Sequence, residues 1–217
     1  MRLRVVLEVA PKRAFASALD WPGWSRAGKT WDAALEAFLA YAPRYAAVAR
    51  RARVAFHPPA TRRAIEVVER LTGDGGTEFG VPGAAAAFED APIATADLER
   101  LLALLRASWA TLDAVATKAT GVELTKGPRG GGRNLDKILD HVREAEVAYL
   151  GRLGARAADA SMTSVHAAFA DAASARATGS PVANPNKART FWVPRYAVRR
   201  AAWHVLDHAW EIEDRSA

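Results

Sequence analysis

PRYAVRRAAWHVLDHAWEIED, residues 194–214, is the stretch on which the fold of this chain turns. It opens on Pro194, and proline suits the first turn of a helix, where its missing N–H has no partner to lose. The run predicts a helix over 194–214. At 100° per residue, His204 and His208 stand one turn apart on one face, together with Ala197, Ala201, Val205 and Ile212. Such an apolar stripe is buried against other elements, so both imidazoles point into an interior. Trp203 and Trp210, seven apart, project away from the histidines. Two tryptophans on that side need a cover of their own, either an N-terminal domain or a second subunit in a homodimer.

Three more helices are predicted upstream. Leu98, Leu101, Leu102, Leu105, Trp109 and Leu112 recur at helical spacing over 96–119. GVELTKGPRGGGR, 121–133, ends that helix. Asn134 then stands as an N-cap for a helix over 135–153, whose apolar face is Leu135, Ile138, Leu139, Val142, Tyr149 and Leu153. An alanine-rich helix covers 162–176, and a loop with Gly179, Pro181 and Pro185 leads to FWVPRY, 191–196, at the head of the last helix. Four helices joined this way are expected to form a bundle over 95–217. No internal repeat is visible.

His141 lies on the shoulder of the 135–153 apolar face, beside Ile138 and Ala145. Facing helices of a bundle can bring it to His204 and His208, and three imidazoles on one divalent ion leave a coordination position open, as in a catalytic site. His141, His204 and His208 are therefore the candidate metal ligands. Imidazole suits zinc, nickel or iron foremost, and copper as well. Glu211, three residues after His208, is the candidate for acid or base work or for orienting a ligand. Asp207 is a further candidate for orienting a histidine, whereas Glu144 is directed away from the core. His57 and His166 have no partner at ligand spacing and read as structural or exposed. Arg129 and Arg133 flank three consecutive glycines just before a helix, a setting that suits the carboxylate or phosphate of a substrate or cofactor as well as it suits a plain interhelix loop.

The N-terminal half has a different texture. RLRVVLEV, 2–9, is β-branched and partly alternating, which predicts a strand. A second strand is expected at 14–19, the turn Asp20-Trp21-Pro22-Gly23 after it, and a third strand at 24–27. Thr30 is placed to cap a helix from Trp31 to about Arg50, which Pro43 either kinks or breaks. AIEVVERL, 64–71, reads equally as strand or short helix. Residues 72–94, rich in glycine, proline and alanine, are expected to link or cross between the units. The fold class is thus α+β, with domains at 1–71 and 95–217.

Composition narrows the function. The chain of 217 residues has no cysteine, which excludes disulfides, thiolate metal sites and a protein thiol nucleophile. The net charge of +6 is spread among interspersed acidic residues, with no basic tail, so nucleic acid is not the expected partner. The start MRLRVVLEV lacks a secretory apolar core and no stretch approaches a membrane span, so a soluble, cytoplasmic protein acting on a small molecule is expected.

HVREAEVAYL, containing His141, and AWHVLDHAWEIEDR, containing His204 and His208, resemble the DinB/YfiT-like superfamily over 95–215. The resemblance implies a four-helix bundle with one metal-binding histidine on the second helix and an HxxxH pair on the last. It further implies a metal-dependent, thiol-using transferase or isomerase, with mycothiol, bacillithiol or glutathione as the thiol. ALDWPGWSRAGKTWDAALEAF resembles a HicB-type domain through Pro22-Gly23, Gly28, Thr30 and Ala34-Leu35, with Trp24 where cysteine is frequent. The alternative is a non-catalytic protein in which this HicB-like part mediates association or regulation and the metal is structural or absent.

Overall fold

Alternation along 3–10 lets one strand serve two packed layers. In the computed structural model, which describes residues 2–127, 132–181 and 191–216, strand β1 (Leu3–Ala10) is buried on both faces. Val5 and Leu7 enter a core shared with helices, while Val6 and Glu8 are buried on the other side. β1 turns through Pro11 and Lys12 into antiparallel β2 (Arg13–Ala18), with Val5 opposite Ala18 and Ala10 opposite Arg13. β2 pairs antiparallel with β3 (Ser25–Gly28). The ambiguous 64–71 stretch is a strand, β4 (Ile65–Thr72), which pairs parallel with β1 and gives the sheet order β3-β2-β1-β4. Pairing with β1 settles what a short stretch of five apolar and three charged residues alone cannot.

Thr30 caps helix α1 (Trp31–Ala40), accepting from the Ala33 N–H at 3.2 Å. Pro43 breaks the helical run here: Tyr41 separates α1 from α2 (Ala42–Arg51), and Pro43 lies in the first turn of α2. Trp24 fills the space between sheet and helices, stacked on Phe38 at 4.1 Å and donating from Nε1 to the Phe38 carbonyl at 3.0 Å.

Residues 72–94 carry a short helix, α3 (Gly75–Phe79), and a 3₁₀ turn (Ala87–Asp90). Two buried carboxylates hold them. Glu8 accepts from Thr77 Oγ1 at 2.5 Å and from the N–H groups of Gly83 and Ala84. Glu89 accepts from Arg199 Nε at 2.6 Å and Nη2 at 2.9 Å. This segment therefore bonds at one end to the sheet and at the other to the last helix.

Helices α4 (Thr95–Lys118), α5 (Leu135–Arg152), α6 (Met162–Ala177) and α7 (Pro194–Arg215) enclose a second core. Asn134 caps α5 through the Lys137 N–H, and Ser161 caps α6. Leu101, Leu105 and Leu112 of α4 meet Ile138 and Val142 of α5, Phe169 of α6 and Ala201 and Val205 of α7 in that core. α7 is buried nearly all round because it also faces the sheet unit: Leu206 and Trp210 belong to the core of the sheet and α1–α2. Gly23, with φ +92°, makes this junction close, since a Cβ there would stand 2.6 Å from Leu206 Cδ1. The architecture is α+β, four strands and seven α-helices among the described residues. No helix among them is long and apolar enough to cross a membrane.

Candidate metal centre

Two turns of α7 and one of α5 build the site. His204 and His208 share the inward face of α7, and α5 sets His141 against them, so that one ligand nitrogen from each lies within 4.8 Å of the other two. His204 is 6% exposed; His141 and His208 are half-buried. The closest approach is Nε2 of His204 to Nε2 of His141, 3.2 Å. Tetrahedral nitrogens at zinc-like bond lengths stand about 3.3 Å apart, so this pair already has the spacing of two ligands of one ion. His208 completes the set with Nε2, because its Nδ1 meets Glu211 Oε2 at 2.8 Å.

The electrostatics favour neutral imidazoles. Burial, reinforced by His208 and Arg200, pushes His204 down to about 2. Burial and His208 also lower His141. Ligation requires the unprotonated ring, so a buried cluster of this kind is ready for a cation and unfavourable to protons. Glu211 is the compensating anion. The hydrogen bond with His208, outweighing burial, and the Arg215 contact hold its carboxyl down to about 2. Both its oxygens are engaged, Oε1 accepting from Arg215 Nη1 at 2.7 Å. That suits Glu211 to orienting His208 rather than to moving a proton.

Arg215, 4% exposed, also fixes what surrounds the site. It donates from Nε to the Thr125 carbonyl and from Nη2 to the Arg133 carbonyl, both at 2.7 Å, tying the two described limbs of the 121–133 loop to the end of α7. Arg133 lines the cavity and Arg129 lies outside the described residues. The cavity, about 560 Å³, lies between the two units of the fold, with the three histidines on its bundle side and Arg26 of β3, Tyr41, Phe79 and Val81 across from them.

Several residues differ from the sequence-based expectation. Asp207 does not orient a histidine; it pairs with Arg26 at 3.1 Å, whose guanidinium lies over the Tyr41 ring at 3.8 Å. Trp203 and Trp210 are covered by the N-terminal unit, through Phe15 and Tyr41, yet both also line the cavity. The sheet unit wraps far enough round α7 to bring its outer face into the same space as the histidines. Glu144 is exposed, as its direction predicted, and so is His57. His166 does have a partner: Glu146, 1% exposed, meets His166 Nε2 at 2.6 Å and accepts from Trp109 Nε1, while the His166 and Trp109 rings stack at 3.8 Å.

Two further groups stand near the site. Tyr149 sets its ring 5.7 Å from that of His204 and 5.0 Å from Trp192 of the FWVPRY stretch. Arg200 is an arginine four residues before His204, on the inward stripe itself. Its place beside Ala201 in the helical projection was the one available clue. No protein-family model matches the chain, and neither a curated protein nor a solved structure matches it.

Proposed function

We propose that the protein is a divalent-metal-dependent enzyme of the DinB-like type that acts on a small molecule, as a transferase or isomerase using an external low-molecular-weight thiol. The observation that carries this reading is the convergence of His141, His204 and His208 at the wall of a cavity of about 560 Å³. Zinc, nickel and iron suit this donor set. Nε2 of His204 faces the other histidines, and ligation there would leave Nδ1 as the N–H. A divalent ion held by these histidines would supply Lewis acidity and favour the thiolate form of a coordinating thiol, with the proton going to solvent; a chain without cysteine must receive that thiol from outside.

The chain's own residues then do the positioning. Glu211 fixes the ring of His208 through Nδ1. Tyr41, Trp203 and Trp210 supply apolar walls. The three carboxylates on the cavity wall are each matched by an arginine: Asp207 by Arg26, Glu211 by Arg215 and Asp214 by Arg44. Arg133, exposed at the cavity and without an ion pair among the described residues, is suited to an anionic group of substrate or cofactor, and the neighbouring Arg129 is assigned the same task from the sequence. Arg26 and Tyr41 of the N-terminal unit line the same cavity as the histidines, which supports a part for that unit at the site.

Cobalt(II) loading tests the reading. Addition of mycothiol or glutathione should create a sulfur-to-cobalt charge-transfer band. A d–d spectrum unchanged by any thiol would remove the thiol from the account, and one unchanged also by azide would remove the open position.

A further inference from the structure

Arg200 is 7% exposed, and its Nη1 is buried without a hydrogen-bond partner. Its neighbour Arg199 shows what a buried arginine here ordinarily has: Glu89 on two of its nitrogens. Arg200 has two aromatic rings instead, with its Cζ 4.5 Å from the Trp203 ring centroid and 5.2 Å from that of Tyr149. Among the described residues no carboxylate side chain pairs with it. All 24 acidic side chains fall within the described residues, and the ion pairs among them do not include Arg200. Glu8, whose charge acts on it from a distance, spends its oxygens on Thr77, Gly83 and Ala84. Burial accordingly pulls Arg200 below the usual arginine range, whereas for Arg199 the burial penalty is outweighed by Glu89.

An unpaired buried charge is costly enough that a fold retains it for a reason or loses it. Its surroundings suggest the reason. Two other buried donors without acceptors, Trp203 Nε1 and His204 Nδ1, belong to the same turn of α7. The rings that flank the guanidinium also flank His204, at 6.1 Å for Trp203 and 5.7 Å for Tyr149, and Trp203 lines the cavity. With rings on its faces, the guanidinium keeps its in-plane N–H edge for a partner, and a planar carboxylate matches that fork in a bidentate way.

We propose that Arg200, which stands behind Trp203 and His204 of the cavity wall rather than on the cavity lining, is an anion receptor and takes the carboxylate of a small organic acid whose other end reaches the three histidines. The identity of that other end rests on the metal-centre reading; the carboxylate at Arg200 does not. The test uses the full chain freed of metal by a chelator, in chloride-free buffer at constant ionic strength, with acetate as the probe. Acetate should raise the melting temperature of the wild type saturably, by roughly 3–8 °C. Arg200→Met should abolish that rise and, in buffer alone, melt above the wild type, because it removes an uncompensated charge. Arg200→Lys, which keeps the charge without the fork, should bind acetate about tenfold more weakly. An acetate response unchanged in Arg200→Met would overturn the proposal. So would a wild type indifferent to acetate together with a lower-melting Arg200→Met, the behaviour of a purely structural cation. Phosphate binding as tightly as acetate would overturn the carboxylate assignment. Repeating the titration on zinc-loaded protein with 3-mercaptopropionate separates the two readings: tighter binding than acetate supports a ligand reaching the metal, and equal binding refutes that reach while leaving the receptor in place.

Discussion

Nε2 of His141 and Nε2 of His204 face each other at 3.2 Å across the interface of α5 and α7, although 63 residues separate them in the chain. Two neutral rings in that relation can share one proton or one cation. The third imidazole, His208, and the carboxylate behind it tilt the balance towards the cation, since a second proton would bring like charges together in a buried place. The geometry of one pair thus sets what the remaining residues are for.

Glu211 is the first of these. Its hydrogen bond fixes the His208 ring and leaves Nε2 free. Glu211→Gln, which keeps the shape and loses the charge, is expected to weaken zinc binding about tenfold, and Glu211→Ala nearer a hundredfold. Competition against a chromophoric chelator measures both. Equal affinity in the three proteins would show that the carboxylate serves Arg215 alone.

The protonation of His204 gives a pH dependence with a definite sign. Unfolded, this imidazole takes up a proton as pH falls below its ordinary 6.5; folded, it resists until about 2, chiefly because it is buried. The metal-free protein should therefore lose stability as pH falls from about 6.5, with His204 contributing up to about 1.4 kcal/mol per pH unit. Glu211, ionised down to about 2, acts in the same direction below its ordinary 4.5. Urea midpoints at pH 7.5, 6 and 5 should fall in that order, and His204→Ala should flatten the series down to pH 5. A midpoint constant over that range would contradict the assignment.

The Glu89–Arg199 pair, 3% and 4% exposed, joins the connecting segment to α7. Glu89→Ala strands the guanidinium and should cost about 3–5 kcal/mol in urea unfolding, whereas Glu89→Leu with Arg199→Met should recover much of it. A loss below about 1 kcal/mol for Glu89→Ala, the range of an exposed pair, would show that the segment is held by Glu8 instead.

How much of this was legible in the sequence differs by element. α7 was, because 22 residues of helical periodicity behind Pro194 fix a projection, and the projection put His204 and His208 inward. His141 needed the facing helix. β4 was not decidable, since a short mixed stretch such as AIEVVERL becomes a strand only when β1 offers a parallel partner. The pairing of Glu146 with His166 joins residues on different helices, and no spacing rule reaches it. Asp207 went to Arg26 for a similar reason: the partner comes from β3, 181 residues away. Arg200 is not legible as a buried charge, because an arginine on an apolar stripe ordinarily extends its stem across the surface and frees its head to water.

The central claim is that His141, His204 and His208 hold one divalent ion. Metal analysis of the purified protein beside a His204→Ala/His208→Ala variant tests it most directly. The account predicts about one equivalent of zinc, nickel or iron in the wild type and its loss from a folded variant. Equal metal in the two proteins would contradict it.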